Sequence, residues 1–136
     1  LMERMKFVVE PAGAVGLAYL ISKKPSPGKK VVAVLAGGNV DMYLLGQIVD
    51  KGLAAMSRLL KLSVLLPDRP GAFKEIVDTI TLANANIVEV VHDRLSSDVN
   101  AGSASVTLNL ETQGKEQAES LIKSLQEKNV QFKLLT

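Results

Sequence analysis

Five residues in the middle of the chain, Pro67-Asp68-Arg69-Pro70-Gly71, have the types and order of a tight turn that opens a helix. Before them, Leu60, Leu62, Val64 and Leu66 alternate as in a half-buried strand; after them, Phe73, Ile76, Val77 and Ile80 recur at helical spacing. A strand-to-helix junction of this kind leaves backbone N–H groups without partners at the helix N-terminus, where a small anion such as a carboxylate can be held. Without a ligand, the same residues read as a turn with Pro70 near the helix start. His92 is the one histidine, and no serine or cysteine nucleophile is spaced to meet it, so a hydrolytic triad is unsupported. A lone histidine on a strand reads as structural, and Asp93-Arg94 reads as a solvated or interface pair. In the first half, Val9-Glu10-Pro11-Ala12-Gly13-Ala14-Val15-Gly16 and Leu35-Ala36-Gly37-Gly38-Asn39-Val40-Asp41 are the candidates for chemistry. Taken alone, they are a small-residue packing helix and a glycine turn that ends a strand. The second lacks the spacing of phosphate-loop fingerprints.

The elements that must carry these residues follow from pattern and breakers. Residues 1–7 read as the end of a helix, and 11–22 as a helix with Pro11 in its first turn. Residues 23–30, with Pro25, Pro27 and Gly28, are a loop. The unalternating apolar run 31–35 reads as a strand buried on both faces of a parallel sheet. Residues 42–56 read as a helix with Leu44, Leu45, Ile48, Val49 and Leu53 inward. One strand cannot make a sheet, so the first half looks like the edge of a larger α/β domain.

The second half is self-sufficient. Strand 60–66, helix 71–83, strand 86–95, a turn at 96–102, strand 103–111, helix 115–128 and strand 130–135 give the order β-α-β-β-α-β. That is the ferredoxin-like split βαβ arrangement.

Composition narrows the function classes. The chain has 136 residues, 47% hydrophobic and 22% charged, with a formal charge of +2. This is ordinary for a folded protein and too weakly basic for a nucleic-acid footprint. Two Tyr, three Phe and no Trp offer no base-stacking platform. The absence of cysteine excludes disulfides and thiolate metal sites, and fits a cytoplasmic protein; no metal site is expected. Residues 8–21 are too short an apolar run to span a membrane. Glu10 argues against a secretory signal. The chain starts at Leu1, as a piece of a longer reading frame would.

The Pro-Gly turn, the segment Ala83-Asn84-Ala85-Asn86-Ile87 and the strand end His92-Asp93-Arg94 together resemble the ACT domain, a regulatory module that binds amino acids. The glutamate stretch, the Gly37-Gly38-Asn39 strand end, the helix and the ACT-like module, in that order, resemble the end of threonine ammonia-lyase (threonine dehydratase), of the fold-type II pyridoxal-phosphate group. The resemblance implies an α+β chain. Residues 1–57 would be the C-terminal tail of a pyridoxal-phosphate catalytic domain, an incomplete α/β segment. Residues 58–136 would be a ferredoxin-like ACT regulatory domain. It implies that Glu10, Ala36, Gly37 and Gly38 face the cofactor in the intact parent. The family's usual serine, which hydrogen-bonds the pyridine nitrogen, is alanine at position 36, and alanine cannot do that. It implies that Arg69, Pro70, Gly71, Ala72, Asn86 and Ile87 meet an amino-acid effector, isoleucine or valine if the parent is biosynthetic. ACT pairing into a homo-oligomer is implied as well. The family's Schiff-base lysine and cofactor-phosphate loop lie upstream, so this chain is expected to hold no catalytic residue and no cofactor by itself. The alternative is a stand-alone, non-enzymatic ACT module with an unrelated leader. A nucleic-acid or metal binder of the same fold fits the composition poorly.

Overall fold

Leu60, Leu62, Val64 and Leu66 are buried while the residues between them are not, so the alternation in the sequence becomes the two faces of strand β1 (Leu59–Pro67). The computed structural model describes residues 1–96 and 99–135. After β1 come helix α4 (Ala72–Leu82), strands β2 (Asn86–Asp93) and β3 (Ser103–Glu111), helix α5 (Lys115–Glu127) and strand β4 (Gln131–Leu134). Ahead of β1 lie α1 (Met2–Met5), α2 (Pro11–Ser22) and α3 (Met42–Ala55). Packing divides the chain into two units, Leu1–Ile48 and Val49–Thr136, with the division inside α3.

The second unit holds a four-stranded sheet in the order β2-β3-β1-β4, with every neighbouring pair antiparallel. This is the ferredoxin-like arrangement. Leu62 faces Leu108 and Val64 faces Val106 across β1 and β3, so the buried residues of both strands share one side. Ile76 and Ile80 of α4 and Leu121 and Leu125 of α5 close over that side as one core. Each helix thus presents residues spaced by four, one turn apart on one stripe. Thr79 is buried too; its hydroxyl donates to the Glu75 carbonyl at 2.8 Å and accepts from the Lys128 ammonium at 2.8 Å. The opposite face of the sheet is polar, with Ser63 bonded to Ser105 at 3.1 Å and the Asn109 amide donating to Glu89.

The stops are chemically explicit. Asn84 takes φ of 55°, its N–H donates to Thr81 O at 2.9 Å, and Ala85 N–H reaches back to Ile80 O at 3.2 Å. Asn129 repeats the device after α5, with bonds to Gln126 O and from Val130 N–H to Leu125 O. These are Schellman-type endings, with asparagine in the left-handed position that glycine more often fills. Ser97 and Asp98, in the middle of the expected 96–102 turn, lie outside the described residues.

The first unit is built differently. No residue of α1, α2 or α3 is buried. The expected strand 31–35 forms no ladder, and Val32 and Val34 stand 88% and 79% exposed. A strand exists only with a neighbour to bond, and none pairs with this run among the described residues. The expected inward face of α3 is likewise uncovered, with Leu44 and Ile48 each 41% exposed. Among the described residues no helix is long and apolar enough to cross a membrane.

Candidate functional site

Four of the expected effector residues, Arg69, Pro70, Gly71 and Ala72, lie at the turn from β1 into α4. Gly71 caps α4 with φ of 89°, a left-handed conformation that L side chains seldom adopt. Arg69 N–H donates to Pro67 O at 2.9 Å and Ala72 N–H to Arg69 O at 3.3 Å, so two of the expected donors are spent holding the turn. Asp68 N–H is bonded to Gly102 O at 2.9 Å. No such internal bond is found for the N–H groups of Gly71 and Phe73 among the described residues, as expected in the first turn of a helix.

Charges frame this turn. Arg94, just past β2, places two guanidinium nitrogens on one Asp68 carboxylate oxygen at 2.7 and 2.9 Å. Arg69 lies 3.6 Å from Glu75 on the first turn of α4. Asp93 accepts from the N–H groups of Leu95 and Ser96 and from the Ser96 hydroxyl. The Ser96 hydroxyl, then those two backbone bonds, hold its carboxyl below the usual carboxylate range. His92 lies with its ring centroid 6.4 Å from that of Phe73, which ties the end of β2 to α4.

A cavity of about 330 Å³ opens beside the turn; its lining includes Arg69, Ala72, Glu75, Ile76, Lys128 and Val130. It combines two cations, a carboxylate and apolar wall. That set can hold a carboxylate, an ammonium and an aliphatic side chain at once. Glu75, Lys128 and Val130 were not singled out from sequence. The signal that could have found them is topological: in a βαββαβ order, β4 pairs with β1, so the α5–β4 connection meets the β1–α4 turn.

Asn86 and Ile87 sit elsewhere. β2 runs parallel to β1, since both are antiparallel to β3, and Asn86 aligns through Glu111 with Leu59 at the start of β1. The turn is at the other end of β1, roughly 25 Å away at ~3.3 Å per residue. Within one copy, the structure therefore brings Arg69, Pro70, Gly71 and Ala72 together and leaves Asn86 and Ile87 at the far end. Ile87 is partly buried against the core. The Asn86 amide donates to Glu111 at 3.4 Å.

In the first unit Glu10, Ala36 and Gly37 do meet. Glu10 N–H donates to Gly37 O at 3.1 Å, and its side chain lies where a Cβ on Gly37 would be. A Cβ on Gly13 would collide with the backbone of Ala36, so α2 rests directly on that segment. Gly38 has open space on its Cβ side. These residues do not by themselves fit pyridoxal phosphate. The Glu10 carboxylate fills the space over Gly37, Ala36 offers no polar side chain, and Lys23, Lys24, Lys29 and Lys30 are exposed. The segment can serve as one wall of such a site. Among the described residues no group of three His, Cys, Asp or Glu gathers as a metal site would.

Comparison with known proteins gives the chain its relatives. It is 36% identical over 135 residues to an L-threonine ammonia-lyase of Thermotoga maritima, covering 99% of this chain and 34% of that protein. It is 42% identical over 127 residues to an L-threonine ammonia-lyase of Geobacter sulfurreducens, covering 93% of this chain and 32% of that protein. A biosynthetic L-threonine dehydratase of Mycobacterium leprae is 31% identical over 80 residues, which is 59% of this chain and 19% of that protein. The chain thus spans about a third of the length of the first two relatives. Among solved structures it is similar to prephenate dehydratase from Streptococcus mutans, with a TM-score of 0.48 and 18% identity over 57% of this chain and 40% of that one. No protein-family model matches the chain.

Proposed function

We propose that this chain is the C-terminal part of an L-threonine ammonia-lyase, a cytoplasmic enzyme, and that its ferredoxin-like half is an ACT module that senses an amino acid. The observation that carries the reading is the likeness to two L-threonine ammonia-lyases over 93 and 99% of the chain. The match extends through the first unit, which favours one continuous enzyme segment over a stand-alone module with an unrelated leader.

On this reading, residues 1–57 end the catalytic domain and 58–136 are the regulatory one. The intact parent would convert threonine to 2-oxobutanoate and ammonia. Pyridoxal phosphate, when bound there, withdraws electrons and so eases loss of the substrate's α-proton. Glu10, Ala36, Gly37 and Gly38 would contribute one wall of that site, and the lysine that carries the cofactor would come from elsewhere in the parent.

The effector would enter the cavity beside Gly71. Its carboxylate would meet the free N–H groups of the turn and Arg69, its ammonium Glu75, and its side chain the wall at Ile76 and Val130. An aliphatic wall suits isoleucine or valine. Such a ligand shifts the parent between states only by its difference in affinity for them.

Two copies would pair through the β2 edges. Val90 and Val91 are 42% and 50% exposed there, and an open strand edge invites pairing. Antiparallel β2–β2 pairing turns the Asn86 end of one copy toward the Asp93 end of the other. This brings Asn86 and Ile87 closer to the partner's turn than to their own. The test is calorimetric titration of isoleucine, valine and threonine into the 136-residue chain. Saturable binding of isoleucine or valine is the expected result. Absence of binding by any common amino acid at millimolar concentration would overturn the sensor reading.

A further inference from the structure

One face of the sheet is covered by α4 and α5; the register of the ladders sets what stands on the other, polar face. Lys133 lies opposite Ser63, Ser63 opposite Thr107 and Thr107 opposite Val91, so one level crosses all four strands. Glu89 and Asp93 stand two residues to either side of Val91, on the β2 edge. We propose that this face docks against the same face of a second copy, about a two-fold axis parallel to the strands, with Lys133 of each copy set between Glu89 and Asp93 of the other.

Charge selects both the partner and its orientation. Lys133 is exposed and forms no ion pair among the described residues. The Glu89 carboxylate accepts from the Asn109 amide, and that of Asp93 from Leu95 and Ser96. These donors are neutral, so they hold the negative charges in place without cancelling them. The face is therefore basic at its β4 edge and acidic at its β2 edge. A two-fold axis along the strands lays each β4 over the other copy's β2, which joins opposite signs twice. Lys61 and Glu111, also on this face, then fall over the other copy's Asn109 and Leu59. An in-plane axis across the strands at the same level would instead set Lys133 over Lys133 and Glu89 over Asp93. Like charges opposed in an interface cost several kcal/mol, so that arrangement is rejected.

The centre of the face permits close approach. Ser63, Ser105 and Thr107 are small, and Ser63 is bonded to Ser105 at 3.1 Å. Packed sheets lie about 10 Å apart, a gap that a lysine and a carboxylate side chain together can span. Val91, 50% exposed, would be covered by the aliphatic stem of the other copy's Lys133, and Leu65, 40% exposed, by its Ser105. Four strands ~4.8 Å apart, up to nine residues long at ~3.3 Å each, make a face of roughly 30 by 19 Å, so docking removes on the order of 1,000 Å² from the two copies together. That is the lower limit for a specific interface, which makes this contact a weak, salt-sensitive one.

The contact is separate from the pairing of β2 edges, because Lys133 lies on the opposite edge of the sheet. Val91 belongs to both surfaces, so Lys133→Glu is the variant that tells them apart. The test is sedimentation equilibrium of the whole chain at low salt. Lys133→Glu and Glu89→Lys should each self-associate about tenfold more weakly or worse. An equimolar mixture of the two should recover the association of the unaltered chain, since each reversed charge then meets its opposite. Both positions are exposed, so both variants are expected to keep the fold. In ¹⁵N spectra of the unaltered chain, dilution should move the amides of Ser63, Ser105 and Thr107, which lie on the two central strands. Undiminished association in Lys133→Glu would overturn the proposal and leave edge pairing standing, as would dilution shifts confined to β2. A mixture no stronger than its components, or an unaltered chain that stays monomeric at millimolar concentration, would overturn it as well.

Discussion

Gly71 separates two roles that a single glycine can play. Its φ of 89° requires glycine for conformational reasons, whereas a Cβ built on it meets nothing within 4 Å. The resemblance implied that Gly71 meets an effector; the geometry of one copy makes backbone freedom the first requirement. Gly71→Val should therefore destabilise the second unit, by roughly 1–2 kcal/mol for an L-residue in the left-handed region. Chemical denaturation measures this. Gly71→Asn tolerates that region better. It is expected to keep near-native stability while its side chain weakens isoleucine binding in calorimetry. An unchanged affinity in Gly71→Asn would mean that the glycine serves the turn only. The turn itself was legible from Pro67-Asp68-Arg69-Pro70-Gly71. The Asp68–Arg94 pair was not, because 26 residues separate its members and only the β1–β3–β2 register aligns them. Nearby, the depressed pKa of Asp93 yields a signed expectation. Its hydrogen bonds favour the charged carboxylate, so they are intact above the unfolded-state pKa and are lost as pH falls through the lower folded value. The Leu95 and Ser96 amide resonances should titrate together below the usual carboxylate range. A midpoint at or above that range would contradict this.

At the scale of elements, local pattern decided nearly everything that has its partners within the chain. The expected strand 103–111 appears with those bounds, and the other elements of the second unit agree within two residues at each end. Leu108 and Leu121 are wholly buried, and truncating either to alanine should cost about 2–5 kcal/mol; thermal melts would measure it. The exceptions are the run 31–35 and the apolar face of α3, where the expected burial is not met: Val32 and Val34, and Leu44 and Ile48, are exposed. Periodicity reports what a segment needs, not whether it is met. This leads to an asymmetry between the halves. Residues 58–136 should fold in isolation, since they contain all four strands and both core helices, whereas 1–57 should not. Hydrogen exchange on the two peptides tests it: strong protection in isolated 1–57, or none in 58–136, would contradict the expectation. Packing places the division at Ile48, so starting at residue 49 should add stability to the second piece by retaining the half-buried Leu53 and Ala54.

For the whole molecule, the distribution of site residues over the sheet leads to a claim about association. Arg69 and Ala72 lie at one end of β1, while Asn86 lies across from its other end, through Glu111 to Leu59. No motion within a ferredoxin-like sheet closes a gap of roughly 25 Å along the strands. If both groups serve one effector, two copies must supply them. Sequence could name both groups but not their separation, since strand direction enters only with the topology. Two linked outcomes follow. The chain should self-associate, and isoleucine or valine should tighten the association, because a ligand that binds only the paired state favours it by mass action. Val91→Lys, on the β2 edge and away from the cavity beside Gly71, should weaken pairing and effector binding together while leaving the melting of the monomer nearly unchanged. Sedimentation equilibrium with and without isoleucine, on the parent chain and on Val91→Lys, reads all of these at once. A monomer at every concentration, with isoleucine still bound at full affinity, would place the whole effector site in the cavity beside Gly71 and remove Asn86 and Ile87 from it.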